Sequence, residues 1–223
     1  MTAQTEANKK SAGAEVDFFA RMTASISHEL KNVLAIVNEN AGLLDDLLLM
    51  AEKGRPLNPE RLKRLADNVK RQVERGDLIL GRLNRFAHTV YDPVGQIDVR
   101  AFCELVAALT GRLAAMQEVK VEVAPCDKVP AEVHPFALAN ALWLLLKNIF
   151  PLAQGETSIV LQPALIEQQP CVDLRIQGIS GPALDKAVAA ALEEEGDIFS
   201  ALGAGGVALT EGDVVRFCLG ERG

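Results

Sequence analysis

Histidine, cysteine and the larger aromatics are scarce in this chain, and the scarcity narrows its chemistry before any motif is read. Among 223 residues there are 3 histidines, 4 cysteines, 1 tryptophan and 1 tyrosine. Cys103, Cys126, Cys171 and Cys218 stand far apart with no paired spacing. That argues against a zinc site and against a disulfide framework, and leaves small buried apolar residues as their reading. No run of 18 apolar residues occurs, and the opening Met1-Thr2-Ala3-Gln4-Thr5-Glu6 has neither the basic nor the apolar region of a signal peptide. No membrane contact and a cytoplasmic location are therefore expected. Cations are short in the C-terminal part: residues 1–96 carry 14 Lys/Arg against 13 Asp/Glu, whereas residues 97–223 carry 9 against 17. So acidic a region is poorly suited to hold nucleic acid, which is bound by cations that neutralise phosphates, and is an unpromising cradle for a nucleoside triphosphate.

What is present begins with long helical periodicity. Residues 1–14 read as a flexible polar tail. From about Glu15 to Glu52, Phe19, Met22, Ile26, Leu30, Val33, Val37, Ala41, Leu44 and Leu48 fall within about 60° of one direction at 100° per residue. Gly54-Arg55-Pro56 stops this helix, and Asn58 as N-cap with Pro59 at the first helical position starts the next. The second helix carries Leu62, Leu65, Val69, Val73, Gly76, Leu80, Leu83, Ala87 and Val90 at spacings of three and four, and Asp92-Pro93 ends it. Such an antiparallel hairpin leaves half of each apolar stripe in water. Pairing two hairpins removes that exposure, so residues 15–94 are expected to form a hairpin that builds a dimeric four-helix bundle through residues 15–92.

After residues 92–96 the pattern turns to α/β. Helices are expected near Val99–Met116, Pro135–Leu152 and Pro182–Glu195, with strands at Val119–Val123, Ser158–Leu165, Val172–Ile176 and Val214–Leu219. Residues 97–223 thus read as a sandwich of helices over one mixed or antiparallel sheet, giving an α+β chain overall.

His28 stands roughly 180° from the apolar stripe of the first helix, beside Ala24, Ser25, Lys31, Asn32 and Ala35. A structural histidine turns toward the core and finds a partner; this one is open to a docking protein. His88 reads instead as a cation near a helix C-terminus, and His134 as a turn residue before Pro135.

Ser27-His28-Glu29-Leu30-Lys31-Asn32 resembles the H-box of bacterial sensor histidine kinases, and a helical hairpin followed by an α/β domain is that family's order too. The resemblance spans about residues 15–219. It implies that the hairpin is the dimerisation and phosphotransfer domain, and that the α/β domain has the Bergerat-type ATP-binding fold. By the same motif His28 would be phosphorylated, Glu29 would assist proton handling at the imidazole, and Asn32 would position water or a phosphoryl group. Lys31 would steer an acidic receiver pocket or pair with phosphoryl oxygens. The usual proline after Asn32 is Val33.

The second domain departs from the family where ATP chemistry needs it. In Leu144-Leu145-Leu146-Lys147-Asn148, which resembles the N-box, the first metal-binding asparagine is Leu144, and leucine offers Mg²⁺ no oxygen. The strand ending at Ile176 runs into Gln177-Gly178-Ile179-Ser180-Gly181, with no aspartate to read adenine. Ile198-Phe199-Ser200 is similar to the phenylalanine box, and Gly203-Ala204-Gly205-Gly206 either matches a glycine box or serves as a turn into the last strand. Between Gly181 and that strand there is no room for both an ATP lid and the helix behind it. Phosphoryl transfer from ATP rests on positioning and charge neutralisation, both eroded here. The chain thus resembles the histidine phosphotransferases derived from histidine kinases, the ChpT type. The resemblance implies a phosphorelay protein that carries a phosphoryl group on His28 between aspartates of response-regulator receiver domains, with no cofactor of its own, the Mg²⁺ being the receiver's. The alternatives are a non-carrying dimeric adaptor or receiver phosphatase, and a divergent active kinase.

Overall fold

A computed structural model of the chain describes residues 3–153, 155, 157–179, 181–203, 207–210 and 213–220. Its contacts divide it into two compact units, Thr23–Arg85 and Met1–Met22 with Phe86–Gly223. The first is a helical hairpin, and the second is built around a mixed sheet with its helices.

Helix α1 spans Ala3–Glu52 and α2 spans Pro59–Thr89. α1 begins at Ala3 and not at Glu15: the tail expected over residues 1–14 is rich in Ala, Glu, Gln and Lys, all good helix formers, and continues the helix backwards. α1 ends at Gly54, whose φ of 84° lets its N–H and that of Arg55 turn back onto the carbonyls of Ala51 and Met50. Asn58 caps α2 through its Oδ1, which accepts from the N–H groups of Glu60 at 2.9 Å and Arg61 at 3.2 Å.

Within the hairpin, Ile26, Val33, Leu47 and Ile79 are buried. Its register is marked by Gly76 facing Val33 and by Asn68, whose Nδ2 donates to Asn40 Oδ1 at 3.4 Å. Asn40, 7% exposed, passes its own Nδ2 to the carbonyl of Ile36 at 2.7 Å, and the Arg71 guanidinium donates to Asn68 Oδ1. The buried face of α1 is turned by roughly 60° from the centre of the apolar stripe read off the sequence. That stripe is wider than one helix covers, so α2 takes one edge and the other is left in water: Leu34, Leu44 and Leu48 are exposed, as are Val73 and Leu80 of α2.

In the second unit β1 (Gly95–Asp98) leads into α3 (Val99–Ala115), β2 (Val119–Val123), β3 (Pro130–Val133) and α4 (Pro135–Ile149) with a 3₁₀ turn at Phe150–Leu152. β4 (Thr157–Ile166), β5 (Gln169–Gln177), α5 (Pro182–Ala201), β6 (Val207–Thr210) and β7 (Val214–Cys218) follow. The main sheet runs β2-β4-β5-β7-β6, with β2 parallel to β4 and every other pair antiparallel. β1 and β3, unseen in the sequence, make a separate antiparallel pair. β4 alternates buried and half-exposed residues from Thr157 to Ala164, the signature of a strand with one covered face.

α4 is the core helix: twelve of its residues are buried, among them Leu142, Leu145 and Leu146. With its 3₁₀ turn it is the one described segment long and apolar enough to cross a membrane, and 72% of that window is buried inside the domain. Phe18 of α1 and Phe86 of α2 pack on one another and on Phe136 at 5.3–6.1 Å, and Phe18 stacks on Trp143 at 6.3 Å, which ties the first third of α1 and the last turn of α2 to this core. It is Phe18, 2% exposed, and not Phe19 that is buried.

The cysteines correct the sequence reading. Cys171 and Cys218 form a disulfide, because β5 and β7 place them directly opposite in an antiparallel register that a separation of 47 residues conceals. Cys103 is buried and free, and burial pushes its thiol up. Asp173, two residues after Cys171 and buried, receives Arg216 of β7 through two hydrogen bonds of 2.7 and 2.8 Å, an arrangement that raises the guanidinium further.

Candidate functional site

His28 lies in the middle of α1, inside the hairpin unit, with its side chain exposed and no hydrogen-bond partner at either ring nitrogen among the described residues. The helix positions the other three candidates by turn geometry alone. Asn32, one turn on, is exposed on the same flank. Lys31 is exposed and turned further outward, while Glu29 is half-buried toward the α2 side. The four residues are thus neighbours on one helix, but only His28 and Asn32 face the same way. Ser25, read as part of the open face, is 2% exposed and its Oγ has no partner.

Relative to the buried faces, the two long helices are related by a local twofold lying across the hairpin, as any antiparallel pair is. Residues displaced to the same angular side on α1 and α2 therefore emerge on the same side of the hairpin. Of the exposed apolar residues, Leu34, Leu44 and Leu48 of α1 and Val73 and Leu80 of α2 share one side; His28 and Asn32 emerge on the other, roughly 80–120° from the α1 contact line, with Leu43 and Met50 close to the direction of Asn32.

In the sheet domain, the stretch read from the sequence as resembling an N-box lies on α4. Leu144 is 2% exposed, and Asn148 gives its Nδ2 to the Leu144 carbonyl at 2.9 Å. Lys147 Nζ meets Glu194 Oε1 at 2.5 Å, joining α4 to α5. Phe199 packs edge-on against Phe217 as core. Gly203 has a φ of 63°, and a Cβ there would lie 2.9 Å from the carbonyl oxygen of Gly220, so this glycine serves a turn and a close backbone approach. Ala204, Gly205 and Gly206 of the glycine-rich stretch, and Ser180, lie outside the described residues. One turn before Leu144, Asn140 is 1% exposed with both amide atoms unpartnered. A groove of about 900 Å³ lies at the other end of α4 and β5, beside Gln96, Glu132, Glu167 and Gln169.

Sequence reasoning missed the Asp173–Arg216 pair and the disulfide, both cross-strand features set by register. It also missed a row of arginines on α2, legible in the heptad-like spacing of Arg64, Arg71, Arg75 and Arg82.

No family model and no curated protein matches the chain. Among solved structures, it is similar to the histidine kinase AdeS of Acinetobacter baumannii, with 14% identity over 86% of this chain and 95% of that one, at a TM-score of 0.43. The cytoplasmic segment of histidine kinase QseC gives 15% identity over 75% and 98% of the two chains, at 0.45. Histidine kinase ThkA, solved in complex with the response regulator TrrA, gives 14% identity over 97% and 65%, at 0.44.

Proposed function

We propose that this chain is a phosphorelay histidine phosphotransferase, carrying a phosphoryl group on His28 between aspartates of response-regulator receiver domains. The observation that carries the reading is the state of His28 itself: exposed, unpartnered at both ring nitrogens, and set in an H-box on the side of the hairpin away from the apolar strip. A nucleophile that serves successive protein partners needs that openness, whereas a structural histidine is satisfied locally.

The chemistry is a pair of in-line displacements. The lone pair of a neutral ring nitrogen attacks phosphorus in the acyl phosphate of one receiver; the N–P bond forms, the P–O bond to aspartate breaks, and the carboxylate leaves. In the second half a carboxylate oxygen of another receiver attacks the phosphorus, and the electron pair of the N–P bond returns to the imidazole. Asn32, on the same flank, orients the transferring group. Glu29 and Lys31 act at longer range, on the ring proton and on the approaching anion. The Mg²⁺ that screens the phosphoryl oxygens comes with the receiver, and this chain supplies the nucleophile and its surroundings.

Leucine at 144, buried and without an oxygen to offer Mg²⁺, together with Asn148 bonded to the Leu144 carbonyl and Lys147 paired with Glu194, favours transfer without autophosphorylation. The exposed strip of Leu34, Leu44, Leu48, Val73 and Leu80 favours a homodimer through the hairpin, in which two copies close a four-helix bundle. The test is to offer the protein labelled ATP alone and then a receiver domain charged with labelled phosphate. Label on His28 only from the receiver is expected. Label from ATP alone would establish a kinase, and label from neither would leave an adaptor or phosphatase.

A further inference from the structure

We propose that the arginine row of α2, with Leu78 at its centre, is the docking surface for the receiver domains that exchange phosphoryl groups with His28. The inference rests on the phosphotransferase reading and adds where the partner sits and what its surface must be.

Arg64, Arg71, Arg75 and Arg82 fall within about 40° of one direction on α2, roughly 100° from the line of contact with α1. All four are exposed. Their displacement has the same sense as that of His28 on α1, so by the local twofold the row and the histidine emerge on the same side of the hairpin, while the apolar strip takes the other. The register gives the heights. Val33 faces Gly76 and Asn40 meets Asn68, so His28 stands level with residue 80 or 81 of α2. At 1.5 Å per residue, Arg82 is then about 2 Å along the axis from that level, Arg75 about 8 Å and Arg64 about 25 Å.

The row is not consumed within the molecule. Arg64, Arg75 and Arg82 have no ion-pair partner among the described residues, although Glu60 and Asp67 lie within about a turn of Arg64 and Glu74 adjoins Arg75 on α2. Arg71 spends one donor on Asn68. Leu78, between Arg75 and Arg82, is 64% exposed, an apolar anchor inside a cationic frame. Any protein that brings phosphorus to His28 must cover this side. A receiver approaches with an acyl phosphate and the carboxylates around it, a net negative face that matches the row. The charge complementarity selects an acidic protein surface with an apolar centre, and it places most of the contact on α2 instead of on the helix that bears the nucleophile.

The test uses the full-length protein and the isolated receiver domains encoded by the same genome, each charged with acetyl phosphate. Binding is measured by calorimetry and label transfer to His28 is followed at low and high salt. The double variant Arg75→Glu/Arg82→Glu is compared with Lys63→Glu/Lys70→Glu, which reverses the same number of charges on the outward face of the same helix, and melting temperature checks that both fold. The first variant is expected to weaken receiver binding and lower kcat/KM for transfer by at least about tenfold at low salt and to flatten the salt dependence, while the second leaves both near wild type. Equal effects of the two variants, or none from the first, would overturn the docking surface. Binding that depends on the row without any label on His28 would uphold the surface and defeat the carrier reading, so the two failures are distinct.

Discussion

The two units of this molecule treat apolar surface in opposite ways. The sheet domain encloses it: α4 alone buries twelve residues, and β4, β5 and β7 add Ile159, Leu161, Leu174 and Phe217 with almost no exposure. The hairpin leaves it outside. Against four buried large apolar side chains, Leu34, Leu43, Leu44, Leu48, Leu49, Met50, Val73, Leu78 and Leu80 are all more than a third exposed. A domain with a closed core has little apolar surface left to cover, whereas a hairpin with an open one leaves such surface available to another chain. His28, the proposed phosphoryl carrier, sits on the open unit.

Replacing His28 with Ala should break the comparison most sharply. Transfer of phosphate from a charged receiver is expected to vanish, while the change in unfolding free energy stays within about 0.5 kcal/mol because the side chain is exposed and unpartnered. Retained labelling of the variant would place the acceptor elsewhere. In the closed core the effect reverses. Leu145→Ala, at a fully buried position, should cost about 2–5 kcal/mol in urea unfolding. A smaller loss would mean that α4 is less tightly held than its burial implies.

The open face has its own test. Leu44→Asp with Leu48→Asp adds charge to the exposed strip, and light scattering should then show a shift from dimer toward monomer at micromolar protein, with little loss in a monomer whose residues there were already in water. An unchanged mass would move the dimer interface off this strip. The smallest effect is expected at the sheet domain's rim: Lys147→Ala removes a pair whose members are 30% and 36% exposed, and should change stability by less than about 1 kcal/mol. A larger loss would make the α4–α5 contact a structural clasp.

Much of the hairpin was legible because its signals are local. Asn58 and Pro59 announce α2, Gly54 closes α1, and the orientation of His28 follows from counting residues. What counting could not supply was how much of the α1 stripe α2 would cover; the stripe is wider than one helix, so the observed buried face is offset and Ser25 lies inside it. Non-local pairing hid the rest. β1 and β3 are four-residue strands that meet across the whole of α3, and neither carries enough alternation to stand out. Cys171 and Cys218 are brought together by strand register, which no spacing rule reveals. Leu144 shows the converse, since a side chain with no oxygen to offer a metal is visible in the letters, and the structure adds that it is buried in the core of its domain.

The Asn40–Asn68 contact has a consequence for accuracy at a distance. Sliding one helix past the other by a heptad would set the Asn68 amide opposite Val33 or Leu47 and forfeit the contact, so the pair acts as a detent that favours the observed alignment. It lies about 18 Å along the axis from His28 at 1.5 Å per residue, yet it sets which residues of α2 stand level with the imidazole. The pair works as a vernier: far from His28, it fixes the axial scale between the two helices.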